Sequence, residues 1–291
     1  MNCGLGLALE KDSKPGVQEA AGGASDARPA CSGDFWRRLT GKVLLNTESA
    51  RIEEHLYPHQ LAVGVRAGAE VMAHASRQFM SDFCDDDDKV LVDSDETNAH
   101  NLVDRHTFLN RALEVAPGLC RWLEFICPTA DDTLIFYRGR TISSACGGQQ
   151  GCPMIGFCHA LVQRILLEAG GIVPVDPATT PVATPLDPPA KMDLAPMFAD
   201  DGCWGGSSAE VLRFLQHIQA IMPRLGLNFS KLEVIPTADR QTSVDLQPFV
   251  QVGCTIQVEP NVAIMKSPIG SADFNEFSQL IGWRKRQLWS G

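Results

Sequence analysis

Apolar residues recur at helical spacing in three stretches of this 291-residue chain. From Trp36 the pattern continues toward Leu56 and stops at Pro58, which predicts one long helix, because proline cannot continue it. A second helix is predicted over 157–168, where a pair of glycines follows as a C-terminal cap. A third is predicted over 208–225, because a Ser-x-x-Glu capping box precedes apolar residues spaced three and four apart.

Short apolar runs between these helices predict the strands of a sheet. VLVD at 90–93 and LIFY at 134–137 are typical of buried strands. LAPMFADDGCWGG at 194–206 predicts a strand, a tight turn and a strand, and FVQVGCTIQV at 249–258 predicts one more strand. Strands and helices in this order resemble the split βαβ arrangement. The predicted fold class is therefore α+β, an antiparallel sheet with helices on one face.

Three segments differ in composition from this predicted domain, which spans 28–271. Residues 1–27 are rich in Gly, Ala, Ser and Lys and show no apolar period, so they are interpreted as a flexible leader. Residues 174–196 contain seven prolines, which excludes a helix or a central strand and predicts an exposed linker or insertion. Residues 272–291 form a short amphipathic C-terminal segment.

Composition and charge narrow the class of protein. Hydrophobic residues make up 44% of the chain, and no apolar run approaches the ~20 residues of a membrane span. The ten cysteines occur without a secretory signal, which favours intracellular thiols. The net charge is −10, but residues 82–104 alone carry −8, so the remainder is close to neutral. The whole-chain charge therefore does not exclude a nucleic-acid partner.

Candidate chemistry lies in two acidic sites far apart in the sequence. Asp93 and Asp95 end the strand that begins at 90, and Asp200-Asp201 occupies the predicted tight turn. One interpretation is purely structural, since aspartates are common in turns and at strand ends. The alternative is that the carboxylates meet: at ~4 Å their repulsion is about 4 kcal/mol, which protonation or a divalent cation would offset. Oxygen ligands without Cys or His at ligand spacing favour Mg²⁺ or Mn²⁺, and paired ions of this kind serve in-line phosphoryl transfer.

Five short segments occur in a recognisable order: DETNAHNLVDR at 95–105, GQQGCP at 148–153, FADD at 198–201, GLNFSK at 226–231 and SPIG at 267–270. In this order they resemble the motifs of reverse transcriptases, and the Phe-Ala-Asp-Asp form is common in LINE-type (non-LTR) retrotransposon polymerases. The resemblance covers roughly 28–271 and implies a polymerase palm with a partial fingers subdomain and no thumb.

The resemblance implies catalytic roles for acids and one lysine. Asp95 and Asp200 would hold two Mg²⁺ ions, with Mn²⁺ as an alternative, and Asp201 would complete the carboxylate cluster. Asp93 is a rival for the first ligand position, because residues two apart in a strand share a face. Lys231 would donate a proton to the departing pyrophosphate, or it is simply a solvated surface lysine.

The resemblance also implies a nucleotide and template site. Gln150 and Gly151 would line it, since a glycine allows close approach of a base pair. Arg28, Arg38 and Lys42 would hold triphosphate or template phosphates, although for Arg38 plain solvation is the favoured interpretation.

Three positions depart from the family pattern. His100 stands where the family has Phe or Tyr, the residue that rejects a 2′-hydroxyl, so weaker discrimination between deoxy- and ribonucleotides is expected. Glu96 replaces an apolar residue, and Cys152 replaces an aspartate.

The function that this resemblance implies is an RNA-directed DNA polymerase, adding dNTPs to a DNA primer on an RNA template. It implies nuclear residence, no membrane partner, and further domains in a longer retroelement protein. Two alternatives stay open: a catalytically degenerate relic that keeps the fold and weak nucleic-acid binding, and an RNA-templated RNA polymerase, which only His100 favours.

Overall fold

The computed structural model describes residues 3–10, 27–129, 133–237, 245–257, 262–264 and 267–269. The chain divides into two compact units. The first unit takes its described residues from Met1–His55, Asn98–Val162 and Arg224–Leu227, and the second from Leu56–Thr97, Gln163–Pro223 and Asn228–Gly291.

The described residues form α-helices and strands that occur in mixed order along the chain. The helices are α1 (Phe35–Leu56), α2 (Gly68–Asp82), α3 (Ala99–Leu102), α4 (Arg105–Val115), α5 (Cys120–Ile126), α6 (Ile155–Ala169), α7 (Ser208–Ile221) and α8 (Gln247–Gln251). The strands are β1 (Cys3–Glu10), β2 (Ala27–Ser32), β3 (Lys89–Glu96), β4 (Thr133–Tyr137), β5 (Arg140–Ser144), β6 (Met192–Leu194), β7 (Met197–Phe198), β8 (Asp201–Ser207), β9 (Phe229–Pro236), β10 (Thr255–Ile256), β11 (Val262–Ile264) and β12 (Ser267–Ile269).

The second unit is built on a mostly antiparallel sheet. Among the described residues its strand order is β10-β9-β3-β8-β6, and β7 pairs with β8. β3 lies at the centre because Val90, Leu91 and Val92 are fully buried, as a continuous apolar run requires. The predicted α+β class and antiparallel sheet are confirmed.

Helices pack on both faces of this sheet, whereas the sequence predicts them on one. On one face, Trp204 of β8 stacks at 5.0 Å on Phe214 of α7. On the other face, Met72 and Phe79 of α2 join Leu91 in one apolar cluster. These two α2 residues are seven positions apart and therefore lie on one side of the helix, a pattern that sequence inspection did not single out.

The first unit contains a four-stranded sheet of order β2-β1-β4-β5 within the described residues. The interpretation of residues 1–27 as a flexible leader is wrong for 3–10, because these residues form β1, antiparallel to β2 and parallel to β4. Its sequence, CGLGLALE, alternates leucine with glycine or alanine, and this period of two is a strand signal.

Two further predictions are corrected or refined. The strand predicted at 249–258 is wrong for most of its described part: Pro248 lies in the first turn of α8, Phe249 is buried, and within 249–257 only the two residues of β10 form a strand. The proline-rich segment 174–196 packs on its own unit, since Arg213 of α7 donates to the carbonyl oxygens of Pro188 and Pro189 at 2.5 and 3.2 Å.

Two further predictions concern the C-terminal segment and membrane-spanning helices. The predicted amphipathic segment 272–291 lies outside the described residues. In the part of the chain that the structure describes, no helix combines the length and apolarity needed to cross a bilayer.

Candidate active site

Strand register brings acids from two distant segments to one end of the sheet. Asp95 of β3 lies directly opposite Asp201 of β8 in the antiparallel ladder. The neighbouring residues are also in contact, because the Glu96 N–H donates to the Asp200 carbonyl oxygen at 3.1 Å. Residues opposite each other in an antiparallel pair point to the same face, so Asp95 and Asp201 share one face.

The two-residue turn between β7 and β8 sets the position of Asp200. Phe198 pairs with Asp201, so only Ala199 and Asp200 connect the strands. Ala199 has φ = 53°, in the left-handed region. That conformation costs an L-residue about 1–2 kcal/mol, so contacts elsewhere must hold the turn.

Negative charge accumulates at this end of the sheet. Burial, followed by the charges of Asp200, Asp95 and Asp93, raises the pKa of Asp201 to about 7. An acid with this pKa is about half protonated near neutral pH. Burial and the neighbouring carboxylates therefore both favour the protonated form of Asp201.

Lys231 is the basic residue inside this acidic group. Its Nζ donates to Asp93 Oδ2 at 2.5 Å and lies 3.0 Å from Glu233 Oε2. Burial acts to lower the pKa of Lys231, but these two carboxylates outweigh it and the pKa is raised. Lys231 is thus a protonated, partly buried ion-pair partner and not a freely solvated lysine.

This ion pair separates the two candidates for the first metal-ligand position. Asp93 is buried and engaged by Lys231. Asp95 is half-buried, and its Oδ2 accepts a hydrogen bond from the Ser230 hydroxyl at 2.7 Å. A neutral hydroxyl donor leaves the charge of Asp95 uncompensated, so the geometry favours Asp95 over Asp93 as a cation ligand.

Whether a divalent cation fits here depends on the donors and on their arrangement. Carboxylate oxygens are the ligands that Mg²⁺ and Mn²⁺ prefer. The pKa of Asp201 is raised first by burial and then by the neighbouring carboxylates, and a bound cation would offset the repulsion among these carboxylates. Within the described ranges, however, no three His, Cys, Asp or Glu side chains are arranged to hold one ion. The acids fit the cation in charge and ligand type, but they do not form a ready three-ligand cage.

Comparisons with known proteins agree with the observed fold. No family model matches the chain, and no curated protein matches its sequence. Telomerase of Candida albicans, solved in complex with a TWJ fragment of telomeric RNA, matches with TM-score 0.57 and 11% identity over 94% of this chain and 44% of its own. Apo telomerase of Candida tropicalis matches with TM-score 0.54 and 9% identity, over 81% of this chain and 44% of its own. The BmCPV RNA-dependent RNA polymerase at the elongation state matches with TM-score 0.54 and 13% identity, over 93% and 22%.

The chain has a polymerase palm-like fold. It spans less than half the length of each of these three neighbours. Identities of 9–13% establish the fold alone, so the chemistry must be argued from the residues of this palm.

The predicted nucleotide and template residues belong to the first unit. His100 is the second residue of α3 and is partly buried, and its carbonyl oxygen accepts from the Gly148 N–H at 2.8 Å. Gln150 is partly buried and Gly151 is exposed, with φ = 122°, a conformation that favours glycine. The GQQGCP segment is therefore tied to the start of α3 within one unit.

The predicted basic residues lie on two elements of the same unit. Arg38 and Lys42 are exposed on α1, four residues apart and so on one side of the helix. Arg28 lies in β2, with Leu9 of β1 as its register partner.

Two polar residues that contact this group of acids and Lys231 were not predicted from the sequence. Ser230 and Glu233 contact Asp95 and Lys231, respectively. The signal for Glu233 is its spacing of two from Lys231 in a strand, whereas nothing in the local sequence marks Ser230 as a partner of an acid more than a hundred positions away.

Asp201→Asn is expected to stabilise the metal-free protein at alkaline pH. Because the folded-state pKa of Asp201 is raised from 3.8 to about 7, ionisation of this carboxyl disfavours the folded state. The contribution of protonated Asp201 to the free energy of unfolding is therefore fully present below pH 4 and is lost as the pH rises through about 7. After discounting for partial exposure, Asp201→Asn should raise the free energy of unfolding by about 1–2 kcal/mol at pH 8.

Urea unfolding in the presence of a chelator, at several pH values from 4 to 8, measures this effect. The gain should grow between pH 4 and 7 and stay constant above. Asp193→Asn, at an exposed carboxylate on the edge strand β6, is the matched control and should show no such gain. A stability difference that does not change with pH would contradict the charge argument.

Proposed function

We propose that this palm belongs to an RNA-directed DNA polymerase that adds dNTPs to the 3′ end of a DNA primer on an RNA template. The observation that carries the proposal is the register of β3 on β8, which sets Asp95 opposite Asp201 beside Asp200. Two acids on neighbouring strands and one in the turn before β8 would bind divalent cations, which stabilise the negative charge that develops on phosphate in nucleotidyl transfer. The motif order of the sequence favours reverse transcription over other palm polymerases.

Each residue of the site has a proposed role. Asp95, Asp200 and Asp201 would hold two divalent cations, which when bound lower the pKa of a primer hydroxyl and neutralise charge on the leaving pyrophosphate. Lys231 keeps a proton on Nζ because its pKa is raised, and it is proposed to donate that proton to the pyrophosphate. Asp93 positions Lys231 through their ion pair.

Primer extension tests the proposal. The full chain is incubated with a DNA primer on an RNA template and dNTPs, with Mg²⁺, with Mn²⁺, or with a chelator. Extension that requires the cation and disappears in Asp95→Asn is expected. Matched reactions with a DNA template, and with NTPs on RNA, identify the substrate class; extension with NTPs alone would replace the proposal by an RNA polymerase.

One observation favours a second candidate, a degenerate palm that keeps the fold and binds nucleic acid weakly. The described residues contain no ready three-ligand group, although the acids are close in register. Absence of extension under every condition, together with salt-sensitive retention of a single-stranded oligonucleotide, would favour this candidate.

His100→Phe is expected to raise the preference for dNTPs over NTPs by about tenfold, since a larger apolar ring would pack where a 2′-hydroxyl must be rejected. The ratio of incorporation efficiencies for one dNTP and its NTP measures the effect. His106→Phe, at an exposed position on α4, is the control. An unchanged ratio would show that His100 does not set sugar selectivity.

A further inference from the structure

Three buried polar side chains surround the turn that carries Asp200. Gln60, Gln163 and Glu96 are exposed by only 3%, 0% and 3%. All three belong to the second unit: Gln60 follows α1, Glu96 ends β3 and Gln163 lies on α6. Buried polar side chains need partners, and here these partners include one another and the backbone of Ala199.

Gln163 is the central member of this network. Its Nε2 donates to the Ala199 carbonyl oxygen at 2.7 Å and to Glu96 Oε1 at 3.0 Å. Its Oε1 accepts from Gln60 Nε2 at 2.5 Å. Gln60 Oε1 in turn accepts from the backbone N–H groups of Ala62 at 2.9 Å and Ala199 at 3.3 Å.

The partners fix the orientation of both amides. Backbone N–H groups only donate, so Gln60 must present its oxygen to them and its nitrogen to Gln163. The Ala199 carbonyl oxygen and the Glu96 carboxylate accept, so Gln163 must present its nitrogen. All of these hydrogen bonds are then satisfied by one orientation of each amide. A hydrophobic side chain at either position could form none of them.

The network forms hydrogen bonds with both backbone polar groups of Ala199, the residue with the strained conformation. Ala199 is left-handed, and its N–H and C=O are held by Gln60 and Gln163. Glu96 connects this grip to the other acid-bearing strand: it follows Asp95, its side chain accepts from Gln163, and its N–H donates to the Asp200 carbonyl oxygen. Glu96 thus neither joins the acidic face nor points to solvent.

We propose that Gln163 and Gln60 are positioning residues that hold the Ala199–Asp200 turn, and so Asp200, at a fixed place beside Asp95. The role assigned to Asp200 rests on the proposed function, whereas the grip on the turn does not. The network also accounts for the acidic residue directly after Asp95: Glu96 is the acceptor that Gln163 requires.

Hydrogen exchange followed by mass spectrometry tests the grip on the metal-free full chain. Gln163→Met keeps roughly the same side-chain volume but removes the two hydrogen bonds that Gln163 donates and the one that it accepts from Gln60. Exchange in peptides covering 197–203 should become about tenfold faster, the change expected for the loss of about one net hydrogen bond, with the rest of the second unit unchanged. Gln219→Met is the matched control, because Gln219 also donates to a backbone carbonyl oxygen, that of Val252, but away from the turn.

A second substitution separates a grip on the turn from general core packing. Glycine adopts the left-handed conformation freely, so adding Ala199→Gly to Gln163→Met should slow the exchange again at least ~threefold, after correction for intrinsic rates. Unchanged exchange in Gln163→Met, an equal increase across the whole chain, or no recovery with Ala199→Gly would overturn the proposal.

Primer extension then connects the turn to chemistry. If the wild-type chain extends a primer, Gln163→Met should lower kcat about tenfold or more and leave the KM for dNTP within about twofold, because positioning acts on the reaction and not on nucleotide capture. A raised KM with unchanged kcat would overturn the positioning role. If the wild-type chain does not extend, the proposed function fails, while the exchange experiment still decides whether the glutamines hold the turn.

Discussion

Asp200→Asn is expected to lower nucleotide incorporation by at least about a thousandfold, equivalent to about 4 kcal/mol of transition-state stabilisation. Asn keeps the size of the side chain but removes the charge that the proposed mechanism places on a divalent cation. The turn itself should survive, because the hydrogen bond from Glu96 uses the backbone carbonyl oxygen of Asp200 and not its side chain. The effect should therefore appear in rate and not in folding.

Single-turnover primer extension measures this loss, with urea unfolding of the same preparation as the check on folding. Asp193→Asn removes one charge from the same sheet, at an edge strand away from the acidic register, and should keep near-wild-type incorporation. Incorporation by Asp200→Asn within about tenfold of wild type would remove Asp200 from the catalytic role and, with it, the strongest part of the polymerase assignment.

The elements that could be predicted from the sequence are those whose local pattern agrees with their packing. α6 and α7 follow from apolar spacing, and the α7 pattern is matched by the burial of Val211, Phe214 and Ile218 on one side. The same signal predicts α1, but its pattern agrees with the packing only in the second half of the helix, since Trp36, where the pattern starts, is 72% exposed. The hairpin that carries Asp200 follows from an apolar run, two aspartates and a glycine. In each case one short window contains the whole signal.

The contacts at the acids could not be predicted in this way, because they join residues that only the folded chain brings together. Lys231 and Asp93 are 138 positions apart, and Gln163 and Glu96 are 67 apart. A motif match can propose that Lys231 serves catalysis, but not that Asp93 holds it. Likewise, nothing in a window around Gln163 indicates a buried amide, since glutamine on a helix is ordinarily solvated.

Arg105 shows the same limit in the first unit. Its side chain is 4% exposed, although arginine is rarely buried unless paired. The sequence shows Arg105 as the last residue of the DETNAHNLVDR segment, but it gives no reason for the burial of this side chain. The structure supplies the reason: the guanidinium donates to backbone carbonyl oxygens of the loop that leads into GQQGCP and of one preceding residue. The acceptors are those of Gly147 at 2.7 Å, Ser144 at 2.7 Å, Pro128 at 3.0 Å and Cys146 at 3.3 Å.

Arg105→Met is therefore expected to lower the free energy of unfolding by about 3–5 kcal/mol, because several carbonyl oxygens lose a charged donor that no water replaces in a buried site. Urea unfolding measures the loss. Arg51→Met is the matched control: Arg51 is 61% exposed and lies 3.6 Å from Glu48, so its removal should change stability by no more than ~0.5 kcal/mol. Equal, small effects of both substitutions would mean that the loop keeps its shape without Arg105. A large effect of Arg105→Met alone would identify this arginine as the support of the segment that the motif resemblance assigns to nucleotide and template, through the backbone and not through substrate contact.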